Sequence, residues 1–246
     1  MSHPLLLLHG FSQTPASFDA LREHLPEDRE ELAPFLPGHG DEPAVDTFEE
    51  AVDRIAAGLP AGRPVVLMAY SQGARLGLGL MIRHPEKVAR AILVGGRPGM
   101  PEGHERWARA QWDHKWVDLL ETKGIEAFVK AWERQPIFLS QSEEMRLTQR
   151  ALRRSHDPLH LAGAMRSLGV SVMPDLWPRL GEVRTPTLLA AGELDTKFQR
   201  IAEEMAALMP AARAVVVPGC GHNPFLEDPA AVAALLDQPF PEPPGS

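Results

Sequence analysis

An apolar run, 65–69, leads directly into Ser71, and a helical pattern follows at once. A serine held in a sharp turn between a strand and a helix needs small residues two positions before it and two positions after it. Those positions hold Ala69 and Gly73. The pattern is typical of a nucleophile elbow, so we expect a strand to end, and a helix to begin, at Ser71.

Two further polar residues lie where a predicted strand ends. Asp195 follows the apolar run 187–191, and His222 follows the run 214–217. Open α/β sheets present their chemistry in the loops after their strands, so we expect both side chains near Ser71. The order serine, acid, histidine along the chain is that of an α/β hydrolase. The sequence therefore predicts a catalytic triad of Ser71, Asp195 and His222 on that fold.

The N-terminal apolar run 5–8 is followed by His9-Gly10 and then Phe11. In this architecture two backbone N–H groups form the oxyanion hole. One belongs to the residue after the His-Gly pair, and the other to the residue after the nucleophile. We assign these donors to Phe11 and Gln72.

Each of these residues also has a structural interpretation. A serine after a strand often caps a helix, an aspartate in a loop often forms a turn, and a histidine among glycines often packs against its neighbours. Four placements at strand ends, in the order that the fold requires, favour the catalytic interpretation.

The organisation of the chain agrees with this fold. Apolar runs alternate with helical patterns, which predicts a mostly parallel central sheet flanked by helices. We expect strands near 5–8, 32–35, 64–69 and 88–94, and helices near 47–58 and 72–83. A long helical region then interrupts the alternation between the sixth and seventh strands of the fold, the usual position of a lid. The predicted division is 1–98 and 183–240 for the hydrolase core, 99–182 for the helical lid and 241–246 for a disordered tail.

Composition limits the partners of the protein. The 246 residues, 44% of them hydrophobic, are enough for one core with a small inserted subdomain. The one cysteine, Cys220, excludes an intramolecular disulfide, and the N-terminal residues resemble neither a signal peptide nor a membrane anchor. A net charge of −8 argues against nucleic acid and anionic membranes. We expect a cytoplasmic monomer or small homo-oligomer that acts on a small molecule.

Neither a metal nor a cofactor is expected. His156 and His160 have a spacing that metal ligands use, but Pro158 lies between them and no further ligands are evident. The chain has no glycine-rich phosphate loop or dinucleotide fingerprint. Cys220 lies close to His222, but a small residue in a glycine-bracketed loop is better explained as packing than as a nucleophile.

Three features are selective for one branch of the fold: Arg75, four residues after the serine; 132–138, Trp-Glu-Arg-Gln-Pro-Ile-Phe; and 195–198, Asp-Thr-Lys-Phe. Further matches lie at 8–11, 36–40, 70–75, 105–109, 151–153 and 221–227. Over nearly its whole length the chain resembles the 2-succinyl-6-hydroxy-2,4-cyclohexadiene-1-carboxylate synthases of menaquinone biosynthesis. The resemblance implies a lyase that eliminates pyruvate from 2-succinyl-5-enolpyruvyl-6-hydroxy-3-cyclohexene-1-carboxylate, with the triad removing a proton.

Such a substrate is a polycarboxylate, and arginine suits carboxylates because its planar fork binds both oxygens. Arg75 falls one helical turn after Ser71, on the same face. The resemblance implies that the other substrate-binding residues are Tyr70, Arg109, Trp132, Arg153 and Lys197. We interpret three more arginines as solvated surface charges: Arg97, Arg106 and Arg154.

Two other functions stay open on this fold, because a fold does not fix a reaction. A carboxylesterase or a carbon–carbon bond hydrolase would use the same triad and would depend little on Arg75 or Arg153. A noncatalytic ligand receptor would need no triad at all, so the complete triad argues against it.

Overall fold

The computed structural model describes residues 3–242. Their strands are β1 (Leu5–Leu8), β2 (Glu31–Leu32), β3 (Val65–Tyr70), β4 (Val88–Val94), β5 (Thr187–Gly192) and β6 (Ala212–Val217). They form one sheet in the order β2-β1-β3-β4-β5-β6, and each neighbouring pair is parallel. The register pairs Leu8 with Ala69 and Tyr70 with Val94. The loops that follow β1, β3 and β4 therefore begin side by side.

The α-helices in this range are α1 (Asp19–Arg22), α2 (Phe48–Ala57), α3 (Gln72–Arg83), α4 (His104–Trp132), α5 (Glu143–Arg154), α6 (Pro158–Leu168), α7 (Thr196–Leu208), α8 (Pro224–Glu227) and α9 (Pro229–Ala233). Side-chain oxygens cap several of them. Thr47, for example, accepts a hydrogen bond from the N–H of Glu50 at the start of α2.

Helices cover both faces of the sheet because strand side chains alternate between the faces. Leu6 and Leu8 pack with α2, α3 and α7, whereas Leu5 and Leu7 pack with α1, α8 and α9. All four leucines are fully buried. The predicted fold, a mostly parallel sheet flanked by helices, is confirmed.

The predicted elements agree with the structure to within a few residues, with one exception. The strand expected near 32–35 is only the two residues of β2, which pair with Leu5 and Leu6. Pro34 follows closely, and a proline has no N–H to donate to a strand ladder. The first turn after this edge strand is therefore irregular.

Helices α4, α5 and α6 lie between β4 and β5, the fourth and fifth strands of the described residues, and we refer to them as the helical segment. The prediction counted these strands as the sixth and seventh of the fold. Helix α4 is interrupted at Gly124, where φ is 72°. The rings of Phe128 and Trp132 contact Phe11 from the loop after β1, with centroids 6.1 and 5.2 Å away. The segment therefore covers part of the edge where the strands end.

Two further predictions concern the ends and the surface of the chain. Of the tail predicted to be disordered, 243–246 lies outside the described residues. Among the helices that the structure describes, none combines the length and the apolar character needed to cross a membrane.

Candidate active site

The turn between β3 and α3 holds Ser71 in a rare backbone conformation, with φ 49° and ψ −103°. A non-glycine residue with positive φ is strained and needs support from its surroundings. The N–H of Ser71 donates to the carbonyl of Val94 at 2.8 Å, and the N–H of Gly73 donates to the carbonyl of His9 at 3.0 Å. A Cβ at Gly73 would lie 2.2 Å from the carbonyl oxygen of Leu8. Only glycine lets the turn pack this closely.

Three side chains meet at this turn. His222 Nδ1 lies 2.6 Å from Asp195 Oδ2, and His222 Nε2 lies 3.4 Å from Ser71 Oγ. Because a carboxylate only accepts, Nδ1 carries the proton, and Nε2 is left to accept from the serine. The other oxygen of Asp195 accepts the N–H of Phe198 at the start of α7, which orients the carboxylate. Chemically, the arrangement can move a proton between Ser71 and a carbon or oxygen acid.

Glu227, which was not predicted to have a role, stabilises the loop around His222. Glu227 accepts the N–H of Gly221 at 2.6 Å and the N–H of Asn223 at 3.2 Å. The imidazole, only 5% exposed, also lies against the ring of Phe198, with centroids 4.5 Å apart. An acid five residues after the histidine, at the end of a short helix, is the sequence signal that could have identified this brace.

The predicted oxyanion donors lie on the two sides of the serine. Gln72 is the first residue of α3, where the helix dipole favours a negative charge, and Phe11 follows the end of β1. Within the described range 3–242, neither backbone N–H has a hydrogen-bond partner. Gly10, next to Phe11, donates its N–H to Gln13 Oε1 at 2.9 Å, which fixes the turn. The two N–H groups are therefore free to bind an oxygen.

Three buried imidazoles hold together the turn that contains Phe11 and the loop 36–40. Ser12, with φ 61°, donates its N–H to His39 Nε2 at 3.1 Å. The imidazoles of His9 and His156 accept backbone N–H groups from the loop 36–40. Burial lowers the pKa of His9 to about 3 and the pKa of His156 to about 4. These rings are neutral at pH 7 and act as acceptors.

A cavity of about 140 Å³ lies between the strand ends and the helical segment and includes Ser71 and His222 in its wall. All six predicted substrate-binding residues line it: Tyr70, Arg75, Arg109, Trp132, Arg153 and Lys197. A wider cavity of about 720 Å³ shares Arg109, Lys197 and His222 with it, so the pocket continues past these residues.

Arg75 is almost completely buried, and its Nη1 donates to the carbonyl of Leu168 at the end of α6. Burial, with the neighbouring charge of Arg109, lowers the pKa of Arg75 to about 9. The guanidinium therefore remains charged at neutral pH, although few groups around it stabilise that charge.

Arg109 is positioned by a buried carboxylate. Its Nε lies 2.8 Å from Oδ1 of Asp113, which is 4% exposed and accepts Ser171 Oγ at 2.7 Å through its other oxygen. The guanidinium carbon lies 4.3 Å from the ring centroid of Trp112, close enough for a cation–π interaction. Asp113 was not predicted from the sequence, although an acid four residues after an arginine on a helix is a recognisable signal.

Arg153 is 2% exposed, and its Nε and Nη1 have no partner among the described residues. It lies over the ring of Phe138 at 5.0 Å, and burial lowers its pKa to about 10. A buried charge without a counter-ion is costly, so a bound anion would stabilise this side chain. Lys197 is exposed, and partial desolvation together with the charges of Arg97 and Arg109 lowers its pKa.

The three arginines interpreted as solvated surface charges lie in different environments. Arg154 is exposed and pairs with Glu126, as expected. The prediction is wrong for Arg97, which lines the pocket, and for Arg106, which donates to three backbone carbonyls. Arg97 and Arg106 lie near the junction of β4 and the helical segment. Their local sequence does not indicate whether the side chains point into the protein or into solvent.

Cys220 is buried, and its burial and the charges of Glu227 and Asp228 raise the pKa of its thiol to about 11. It is therefore protonated at neutral pH and a poor nucleophile. In the part of the chain that the structure describes, no group of three or more metal-ligating side chains is placed to hold an ion.

Comparison with known proteins extends these observations. Residues 5–235 match the model of a family described as the alpha/beta hydrolase family. The chain is 34% identical to the 2-succinyl-6-hydroxy-2,4-cyclohexadiene-1-carboxylate synthase of Enterobacter sp. (strain 638), covering 95% of this chain and 90% of that protein. The structure of MenH from S. aureus has a TM-score of 0.90 and 30% identity, covering 95% of this chain and 91% of that one. A thermophilic esterase from Thermogutta terrifontis, with a TM-score of 0.79, 23% identity and coverage of 96% and 89%, shares the fold.

Proposed function

The chain belongs to the alpha/beta hydrolase family, and we propose that it is a 2-succinyl-6-hydroxy-2,4-cyclohexadiene-1-carboxylate synthase of menaquinone biosynthesis. In this proposal it eliminates pyruvate from 2-succinyl-5-enolpyruvyl-6-hydroxy-3-cyclohexene-1-carboxylate. The similarity to enzymes of that name over almost the whole chain supports the assignment.

The single observation that carries the proposal is the composition of the pocket. One cavity combines Ser71 and His222 with Arg75, Arg109 and Arg153. An esterase for neutral substrates has no use for two buried arginines and a third that is partly buried, because removing each charge from water costs free energy. A substrate with three carboxylates supplies the missing negative charge.

In the proposed reaction Ser71 takes the proton from the carbon next to the succinyl ketone and passes its own hydroxyl proton to His222. The electron pair moves through the ring double bond and breaks the carbon–oxygen bond to the enolpyruvyl group. The leaving enolate takes the proton from His222 and becomes pyruvate, so no water is consumed. Asp195 stabilises the imidazolium while it exists.

The ketone oxygen becomes negative as the proton leaves. The backbone N–H groups of Phe11 and Gln72 would bind it, and they stabilise the transition state more than the ground state because the charge develops only there. Removing one such donor typically costs about 3 kcal/mol of transition-state stabilisation. The 3.4 Å between Ser71 Oγ and His222 Nε2 is long for proton transfer and would shorten when substrate binds.

The test is pyruvate release from freshly generated substrate, with the spontaneous reaction subtracted and Ser71→Ala as the control. The proposal requires release that is fast and that Ser71→Ala abolishes. Release no faster than background would refute it. Turnover of activated esters or of ring-cleavage diketones would then identify an ester or carbon–carbon bond hydrolase that uses the same triad.

A further inference from the structure

Arg97 follows the end of β4, two residues after Gly95, whose position lies against the imidazole of His222. Its Nε donates to the carbonyl of Gly99 at 3.1 Å, which fixes the base of the guanidinium. The side chain is partly buried and lines the same cavity as Ser71. The reaction described above gives it no role.

Arg97 lines the pocket together with three other cations, and we call the four the cation cluster: Arg75, Arg97, Arg109 and Lys197. Burial and then the charge of Arg109 lower the pKa of Arg97. Burial is also the main cause of the lowered pKa values of Arg75 and Lys197, to which the charges of Arg97 and Arg109 add. Arg97 and Arg109 are thus each close enough to repel the other cations of the cluster.

The acids near the cation cluster offset little of its charge. Within the described residues only Arg109 has a carboxylate within 4.0 Å, that of Asp113. Asp195 is bonded to His222, Glu105 is exposed, and Asp175 accepts the N–H of Trp177. Among the described residues, the positive charges of Arg75, Arg97 and Lys197 are therefore not balanced by a paired carboxylate.

Arg153 lies in a different environment. Its guanidinium lies over the ring of Phe138, whereas that of Arg109 lies over Trp112, and the ring of Trp132 packs against both, with centroids 6.3 and 5.8 Å away. No cation of the cluster is among the groups that, after burial, affect the pKa of Arg153. The pocket thus has two separate basic regions, one with four cations and one with a single unpaired arginine.

We propose that Arg97 binds substrate, and that the cation cluster holds two of the three carboxylates while Arg153 holds the third. Two carboxylates together with Asp113 reduce the net charge of the four cations to about +1, whereas one carboxylate leaves about +2, so the second carboxylate relieves further repulsion. This inference rests on the proposed function and adds to it a fifth basic residue and a division of the carboxylates between two regions.

Three variants test the role of Arg97 in turnover: Arg97→Gln, Arg97→Lys and, as a matched control, Arg154→Gln on the exposed surface. We expect Arg97→Gln to raise the KM for the tricarboxylate at least tenfold, with a smaller effect on kcat. Arg97→Lys should recover most of the affinity because it keeps the charge, and Arg154→Gln should behave as wild type. An unchanged KM in Arg97→Gln overturns the proposal. The proposal is also overturned if Arg97→Gln lowers thermal stability and Arg97→Lys lowers it equally. That result would show that Arg97 acts structurally, through its hydrogen bond to the carbonyl of Gly99.

A binding measurement separates this inference from the proposed reaction. Citrate, a tricarboxylate, should raise the thermal midpoint of the full-length Ser71→Ala protein more than acetate does at equal ionic strength. Adding Arg97→Gln should weaken that citrate effect at least tenfold in concentration. If pyruvate release fails but this dependence holds, the anion site stands and the reaction does not. If citrate has no effect, or the same effect in both proteins, the inference is wrong.

Discussion

Gln149 Oε1 accepts a hydrogen bond from Gln13 Nε2 at 3.0 Å, and both side chains are buried. Gln149 lies on α5 of the helical segment, and Gln13 lies in the turn after β1, where its own oxygen accepts the N–H of Gly10. Two hydrogen bonds in series therefore connect α5 to the turn that presents the N–H of Phe11. Arg153 lies on the same helix one turn later, so one element contacts both the turn and the pocket.

Replacing Gln149 should therefore weaken catalysis more than binding. Gln149→Leu leaves the amide of Gln13 without its acceptor, and Gln13 can then rotate away from Gly10. A buried polar group left unpaired costs about 1–3 kcal/mol, and we expect kcat for pyruvate release to fall about two- to tenfold if half of that cost reaches the transition state. Gln149→Glu keeps an acceptor oxygen and should lose less. Equal kcat values in wild type and Gln149→Leu would show that the turn needs no help from α5.

The strained backbone at Ser71 gives a prediction about stability. Glycine tolerates positive φ, whereas alanine does not. Ser71→Gly and Ser71→Ala should both lose pyruvate release, but Ser71→Gly should be more stable by about 1 kcal/mol because it relieves the strain. Urea denaturation of the two variants measures the difference. A Ser71→Gly protein no more stable than Ser71→Ala would mean that the turn stores no strain at this residue.

The pair of Arg109 and Asp113 should be coupled energetically. Asp113→Ala removes the counter-ion of Arg109 and the acceptor of Ser171, and we expect it to cost about 2 kcal/mol of folding stability, less than a fully buried pair because Arg109 is partly exposed. It should also raise the KM for the tricarboxylate, since Arg109 is then free to change its orientation. The double variant Asp113→Ala/Arg109→Gln should lose less folding stability than the sum of the losses in the two single variants. Additive losses would show that the two side chains act independently.

The parts of the molecule set by local spacing could be predicted from the sequence. The elbow requires a glycine at 73 because the carbonyl of Leu8 lies so close, and that requirement is visible in five residues. The positions of strands and helices could be predicted from apolar periodicity because that periodicity is also a local pattern. The exception, β2, is short because Pro34 removes a donor, and that proline is itself visible in the sequence.

Asp113 and Glu227 had local signals in the sequence, whereas Gln149 and Arg97 depend on partners far away in the chain. Gln149 meets Gln13 across 136 positions, and no local pattern records that meeting. Arg97 looks like any loop arginine until the fold brings it beside Arg109 and Lys197. The sequence could therefore name the candidate triad that the fold brings together, whereas Gln149 and Arg97 could be recognised only from the fold.

The three buried imidazoles should make the fold sensitive to acid. Burial holds the pKa of His9, His39 and His156 below the ordinary value of 6.5, so the unfolded chain binds more protons than the folded one once the pH falls below that value. The free energy of unfolding should therefore be highest above pH 6.5 and decrease as the pH falls toward about 4. Because the pKa of His156 is lowered to about 4, this residue alone should contribute about 3 kcal/mol to that decrease.

The matched variant for this prediction is His156→Gln, which can still accept the N–H of Gly40 but cannot be protonated in this range. Urea denaturation at pH 7.5, 6.0 and 5.0 gives the slope of stability against pH for each protein. Carboxylates titrate in both, so only the difference between the two slopes reports on His156. Between pH 6.5 and 5, the stability of the His156→Gln variant should depend less steeply on pH than that of wild type. Parallel curves would mean that the imidazole of His156 is already accessible to protons in the folded state, for example because the helical segment opens rapidly.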